Sequence, residues 1–251
     1  MKRKPKTKLG FALEDRLLAI VKKTIPSSLA LKHCAVVSSF LKFPIGMIVP
    51  DLVIIAEAEN SCRRTVDRRV PSLFECAVVA EILKHGPRES GQITKHFYIR
   101  ATRLDQAVLR LKRFGLLTTN TDGALVARKR DFPSSVKIIS IEAKLRRWKE
   151  AIQQAKTYFQ FSNKSYVALP KAMIEINDKI KRACRAEGIG LIAVNSTRAE
   201  ILFNGKSVKP MTAERVWLIR KTSALKGVRR IPLNKQNAYK TPVTATKRLK
   251  A

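Results

Sequence analysis

Glu142 and Lys144 stand two positions apart at the end of an apolar run that begins at Val136, so on a strand both side chains leave the same face. A carboxylate beside an ammonium suits hydrolysis of a phosphodiester. The carboxylate can hold a divalent cation through oxygen, and the lysine can orient water and offset the charge that builds on phosphate. Glu-x-Lys alone is common in any charged chain. Here a helical pattern follows at once, with Trp148, Ile152, Ala155 and Phe159 as its core face and Gln154 and Tyr158 four apart on another stripe.

The charge balance points the same way. The 251 residues contain 51 Lys and Arg against 19 Asp and Glu, a net charge of +32. Such self-repulsion calls for a polyanion, and nucleic acid is the leading partner. An anionic lipid surface is the weaker alternative, because the charge runs through the whole chain and is not gathered on one amphipathic helix. No run approaches the roughly 20 apolar residues that span a bilayer, and the start, Met1 to Lys8, is a basic arm without the apolar segment of a secretory signal. A cytoplasmic protein is the expectation. Cys34, Cys62, Cys76 and Cys184 form no Cys-x2-Cys pair and read as reduced, mostly buried thiols. His33, His85 and His96 share no ligand spacing, which argues against zinc and against a His-centred nuclease motif.

The elements that must position the pair are legible in outline. Residues 11–21 carry apolar groups at helical spacing, and two β-rich runs follow, about 32–41 and 48–55, separated by a turn at Phe43-Pro-Ile-Gly46. Residues 72–83 predict a helix stopped by Gly86-Pro87, residues 91–97 a short one, and residues 101–114 a third with Leu104, Val108 and Leu111 on one face. Two short β runs then flank Asp122-Gly123, a strong hairpin signal. Three helices and a hairpin predict a winged helix-turn-helix. Its third helix would present Arg103, Gln106 and Arg110 to a major groove, with Lys112, Arg113 and the wing residues Arg128 and Lys129 near phosphates. After Pro133 the pattern is strand 136–142, helix 146–161, strand 165–169, helix 171–185 and strands 190–194 and 200–203, which predicts an α/β sheet covered by helices. From Arg215 on there is no acidic residue, and the stretch beyond about 231 is poor in apolar groups, so this extension is expected to be partly disordered or to order on a polyanion.

Taken together, Pro50-Asp51, Glu142-Ala143-Lys144 and the helix with Gln154 and Tyr158 resemble the PD-(D/E)XK nuclease superfamily. The likeness is closest to bacterial phosphodiesterase-like members with Glu-Ala-Lys-Leu-x-x-Trp, here Glu142 to Trp148, and Tyr-Val-Ala-Leu-Pro, here Tyr166 to Pro170. The resemblance implies a restriction-endonuclease-like mixed sheet flanked by helices, formed by residues 9–70 and 130–205 and interrupted by an inserted winged helix at 71–129. The basic arm, 1–8, and the extension, 206–251, lie outside it.

Carried over by that resemblance, Asp51, Glu142, the carbonyl of Ala143 and Glu14 would hold Mg²⁺ or Mn²⁺, with Asp15 an equal candidate to Glu14. Lys144 would act on the attacking water, and Gln154 and Tyr158 would match a Gln-x3-Tyr element of exonuclease and recombination-repair nucleases. The substrate would be DNA, duplex above all, with RNA the weaker partner and a nucleoid-associated location. Nucleases of this kind often act as homodimers to cut two strands. The spacing departs from the pattern, because 142 minus 51 leaves 91 positions where a short hairpin is usual. An inserted domain with neighbouring ends accounts for it. Asp131 is the rival second carboxylate, but its Lys-Arg-Asp-Phe-Pro surroundings have no strand character. The other function class compatible with these residues is a non-catalytic DNA-binding regulator built on a nuclease-like scaffold.

Overall fold

The structure is a computed structural model that describes residues 14–29, 34–58, 69–132 and 135–225. The basic arm, Cys62, His33 and the tail beyond Leu225 lie outside the described residues. The first helix, α1 (Glu14–Ser28), buries Leu17, Leu18, Val21 and Ile25 along one stripe. Strands β1 (Cys34–Leu41) and β2 (Leu52–Ala58) form an antiparallel hairpin. A separate group follows: helices α2 (Leu73–His85), α3 (Ser90–Phe97) and α4 (Ala101–Arg113), then the two-stranded ribbon of β3 (Leu117–Thr119) and β4 (Leu125–Ala127).

The chain then returns as β5 (Lys137–Ala143), α5 (Trp148–Thr157), β6 (Lys164–Pro170), α6 (Lys171–Glu175), α7 (Asp178–Glu187), β7 (Gly190–Val194), β8 (Ala199–Phe203) and α8 (Ala213–Ala224). Six strands make one mixed sheet in the order β1-β2-β5-β6-β7-β8. β5, β6 and β7 run parallel, as helical crossovers require, and the outer pairs are antiparallel. The protein is therefore an α/β fold with a mixed sheet flanked by helices.

Alternation along the central strands fills two cores. Leu52, Ile54, Ile139, Ile141, Tyr166, Ala168, Ile192 and Val194 face α1. Val53, Ile55, Ile138, Val167, Leu169 and Leu191 face the opposite way, against Ile152, Ala155, Tyr158, Ile180 and Cys184. Strands buried on both faces read as continuous apolar runs, which is how residues 52–56 look in the sequence, while β5 is interrupted by Ser140 and Glu142. Cys76 and Cys184 are free and buried, and burial pushes both thiols up to about 12.

Helix α8 joins the two halves. Val216 enters the core of the three-helix group, Leu218 and Ile219 enter the sheet core, and Trp217 packs against both. The expectation for the extension is thus corrected as far as Leu225. Two of its basic residues, Arg215 and Arg220, are 5% and 2% exposed and serve packing. A helix covered on two sides carries no polar face, so its sequence shows no amphipathic period. The helix expected over 171–185 is also corrected, because it splits at Asn177, whose side chain accepts from the Lys179 amide and caps α7. Among the described residues no helix is long and apolar enough to cross a membrane.

Candidate functional site

The register of β2 against β5 brings the distant residues together. Leu52 pairs with Ile141, so one further step sets Asp51 opposite Glu142. Asp51 shares its parity with Val53 and Ile55, and Glu142 and Lys144 share theirs with Ile138, so all three project on the α5 side of the sheet. The whole α2–β4 group is inserted between two hydrogen-bonded neighbours, which is why 91 positions of sequence collapse to adjacent strands. The Ala143 amide donates to Asp51 Oδ2 at 2.9 Å. The Lys144 amide instead donates to Ala168 on β6 at 3.1 Å, so the ladder alternates and the Ala143 carbonyl lies on the Asp51 side.

Glu142 is 2% exposed and has both oxygens engaged. Lys144 Nζ lies 2.9 Å from Oε1, and the Tyr158 hydroxyl donates to Oε2. Glu14, at the start of α1, accepts from the Leu145 amide at 3.2 Å and reaches to 3.9 Å from Lys144 Nζ. Three carboxylates therefore gather around one ammonium, in a chain where acids are outnumbered. Asp15 is turned to Lys42, at 2.8 Å, so Glu14 is the acidic residue of α1 that meets this site. Asp131 sits in a one-turn 3-10 helix, Lys129–Asp131, and takes no part in these contacts.

Burial sets the protonation. It pushes the Glu142 carboxyl above the usual range, more strongly than the Lys144 and Tyr158 bonds pull it down. Asp51 is raised by burial too, against the Ala143 amide and the Lys144 charge. For Lys144 burial works downward but is outweighed by Glu142, Asp51 and Glu14, so the ammonium is held above its ordinary value. Tyr158 is pushed up by burial and then by the Glu142 charge, and stays a donor. Burial raises both carboxyls, the Asp51 charge adds to the rise at Glu142, and the Glu14 charge adds to it at Asp51.

Sequence reasoning missed the support beneath the site. Ser140, two positions before Glu142, meets Ser162 at 2.9 Å and Ser165 at 3.2 Å. Ser162 donates to the Tyr158 carbonyl and Ser165 to the Ala155 carbonyl, so three buried hydroxyls fix the end of α5 and with it the Tyr158 ring. The only signal was a small hydroxyl in an apolar strand. Gln154 lies one turn before Tyr158, and its Oε1 is buried without a hydrogen-bond partner.

The second set of expected residues lies on and beside α4. Arg103, Gln106, Arg110, Lys112, Arg113 and Lys129 are exposed, and Arg128 is half-buried. Two of the arginines are already occupied. The Arg103 guanidinium stacks 4.7 Å over the Phe74 ring, and Arg110 pairs with buried Glu75. Burial works to raise Glu75, but the Arg110 and Ser72 bonds outweigh it and hold the carboxyl below its usual range. Ser72 and Glu75 also form the capping box of α2, so Arg110 ties α4 to that capped end. His85 and His96, unrelated in sequence, both approach Glu81 Oε2 at 3.5 Å, with Arg88 at 3.4 Å from Oε1. Arg88 already supplies a cation there. Among the described residues no group of three His, Cys, Asp or Glu side chains is disposed to hold a metal. The oxygens that Asp51, Glu142 and the Ala143 carbonyl bring to neighbouring strands could serve only a hard cation that keeps several waters.

Comparison with models of known families, with characterised proteins and with solved structures found no match.

Proposed function

We infer that the chain is a divalent-metal-dependent phosphodiesterase that hydrolyses the DNA backbone, built on a restriction-endonuclease-like sheet with an inserted winged helix that holds duplex. The observation that carries this reading is the apposition of Asp51 and Glu142 across β2 and β5, with Lys144 held on Glu142 and Glu14 beside it. Asp51, Glu142 and the Ala143 carbonyl would hold Mg²⁺ or Mn²⁺, which supplies positive charge against the phosphate. Lys144, fully protonated, steadies the developing phosphate charge and orients water through its remaining N–H groups. Tyr158 and the serines beneath it fix the Glu142 carboxylate. Gln154, with its unused amide oxygen, is placed to orient a polar group one turn along α5.

DNA is the substrate class the surface favours. Gln106, Lys112, Arg113 and Lys129 project from one module into solvent and can reach a backbone or groove, with Arg103 and Arg110 held beside them by their own partners. The test is incubation of the full chain with supercoiled DNA and Mg²⁺, Mn²⁺ or chelator. Metal-dependent nicking that disappears in Glu142→Gln is expected. Tight, salt-sensitive binding without nicking under any of these conditions would favour a second reading, a DNA-binding regulator on a nuclease-like scaffold. One observation speaks for that second reading: both Glu142 oxygens are satisfied within the protein.

Two further outcomes follow from the proposed site. Tyr158→Phe should weaken Mn²⁺ binding about 10–100-fold, as loss of a group that orients a ligand does. Titration calorimetry checks it, and unchanged affinity would reduce Tyr158 to packing. The second concerns pH. Asp51 and Glu142 bind protons more tightly folded than unfolded, so their contribution to stability is greatest below the ordinary carboxylate value of about 4. It is lost as pH rises through the raised values. Added Mg²⁺ should therefore raise the melting temperature above that window and much less below it, and Asp51→Asn should remove the response. A metal effect that ignores pH would count against binding at these carboxyls.

A further inference from the structure

The connection from β1 to β2 ends in an apolar tip beside the proposed site. Ile45 and Ile48 exchange two main-chain bonds, of 2.8 and 3.1 Å, which close a tight turn over Gly46, at φ 62°, and Met47. Met47 is fully exposed, and Val49 and Leu41 are about half exposed. The base of the tip is stiff. Ile45 is fully buried, Phe43 packs on Phe40 at 5.1 Å and on Trp217 at 6.2 Å, and the Lys42 amide donates to the Asp51 carbonyl at 2.9 Å. A Cβ on Gly46 would stand 3.4 Å from the Leu73 side chain, so the turn also rests on the start of α2.

We propose that this tip is a wedge that enters the base stack of duplex DNA within about four base steps of the phosphate being cut, which makes weakly stacked steps the preferred substrate. The inference rests on the DNA-cleaving reading above. Met47 lies four residues from Asp51, and four residues of chain reach at most about 14 Å. That distance corresponds to about four base steps at roughly 3.4 Å per step. Apolar side chains of this kind unstack base steps and bend the duplex when a charged protein holds the backbone around them. The alternative occupant, a second copy of the chain, is disfavoured by repulsion between two bodies of net charge +32. The exposed tip is also far smaller than the roughly 800 Å² per partner of a stable interface.

The test uses the full chain, chelator to prevent cutting, and duplexes carrying 2-aminopurine at successive positions. Wild type should raise the fluorescence several-fold at one or two adjacent positions. Met47→Ser/Val49→Ser should abolish the rise while Met47→Leu keeps it, and a mismatched step should bind about tenfold tighter than a matched one only when the tip is intact. Both serine sites are solvent-facing, so these variants fold. Metal-dependent cutting with silent 2-aminopurine at every position would overturn the wedge alone. Absence of duplex binding would overturn the wedge and the DNA reading together. Concentration-dependent dimers in wild type but not in the serine variant would assign the tip to protein contact and overturn the proposal.

Discussion

Lys144→Ala is expected to lower metal-dependent DNA cleavage by about 10²–10³-fold, the cost of removing one charge aimed at a developing oxyanion. Duplex affinity should stay within about threefold, because one of many cationic contacts is lost. The ammonium is also the internal competitor of any divalent cation, since it holds Glu142 Oε1 at 2.9 Å and sits near Glu14. Mn²⁺ should therefore bind Lys144→Ala at least as tightly as wild type, while Glu142→Ala loses Mn²⁺ and cleavage together. Lys144→Arg should not rescue, because a planar fork cannot replace a compact ammonium in a nearly buried site. Single-turnover cleavage, filter binding and Mn²⁺ titration separate these effects. Cleavage and Mn²⁺ binding falling in parallel in Lys144→Ala would show that the lysine only builds the site.

Arg215→Met should be among the most destabilising single changes. Its guanidinium donates to the Val136 carbonyl at 2.7 Å, the Phe161 carbonyl at 3.1 Å and Asn163 Oδ1 at 3.0 Å, tying the entry of β5, the end of α5 and the start of β6. Burial lowers its pKa to about 10, which leaves it charged at neutral pH. Methionine matches much of the volume but strands the Val136 and Phe161 carbonyls, while Asn163 Oδ1 keeps the Ile138 amide, for a loss of about 3–5 kcal/mol. At roughly 2–4 °C per kcal/mol for a chain of this size, the melting point should fall by about 6–20 °C. Arg215→Lys recovers part of this at best, since one ammonium cannot span three acceptors. Thermal unfolding decides the matter. A loss under about 1 kcal/mol would mean that water entering the adjoining cavity of about 160 Å³, beside Lys209 and Met211, satisfies the carbonyls instead.

These two residues divide what could be read in advance from what could not. Lys144 was legible because its chemistry is local: a polar pair closing an apolar strand, followed at once by a helix. The strands, the helices of the inserted module and the Asp-Gly turn were legible for the same reason, since periodicity and turn residues act within a few positions. Arg215 was read as part of a basic extension awaiting a polyanion, because nothing within ten residues of it names Val136 or Phe161. Asp51 was preferred to Asp131 for the strand character beside it, although 91 positions separate it from Glu142. Strand pairing supplies the adjacency that the sequence hides, by placing Asp51 across from Glu142 and against the Ala143 amide.

By itself the sequence determined the large positive charge, the alternating α/β pattern and the pairing of Glu142 with Lys144 at the end of an apolar strand, because each depends on composition or on neighbours along the chain. Only the tertiary structure decided that Glu14 rather than Asp15 joins the pair, that Tyr158 and three serines hold Glu142, that Arg103 and Arg110 are spoken for, and that α8 is a buried strut. Those outcomes depend on register, on which faces are covered and on side chains that meet across 16 to 131 positions, and no local pattern encodes such meetings.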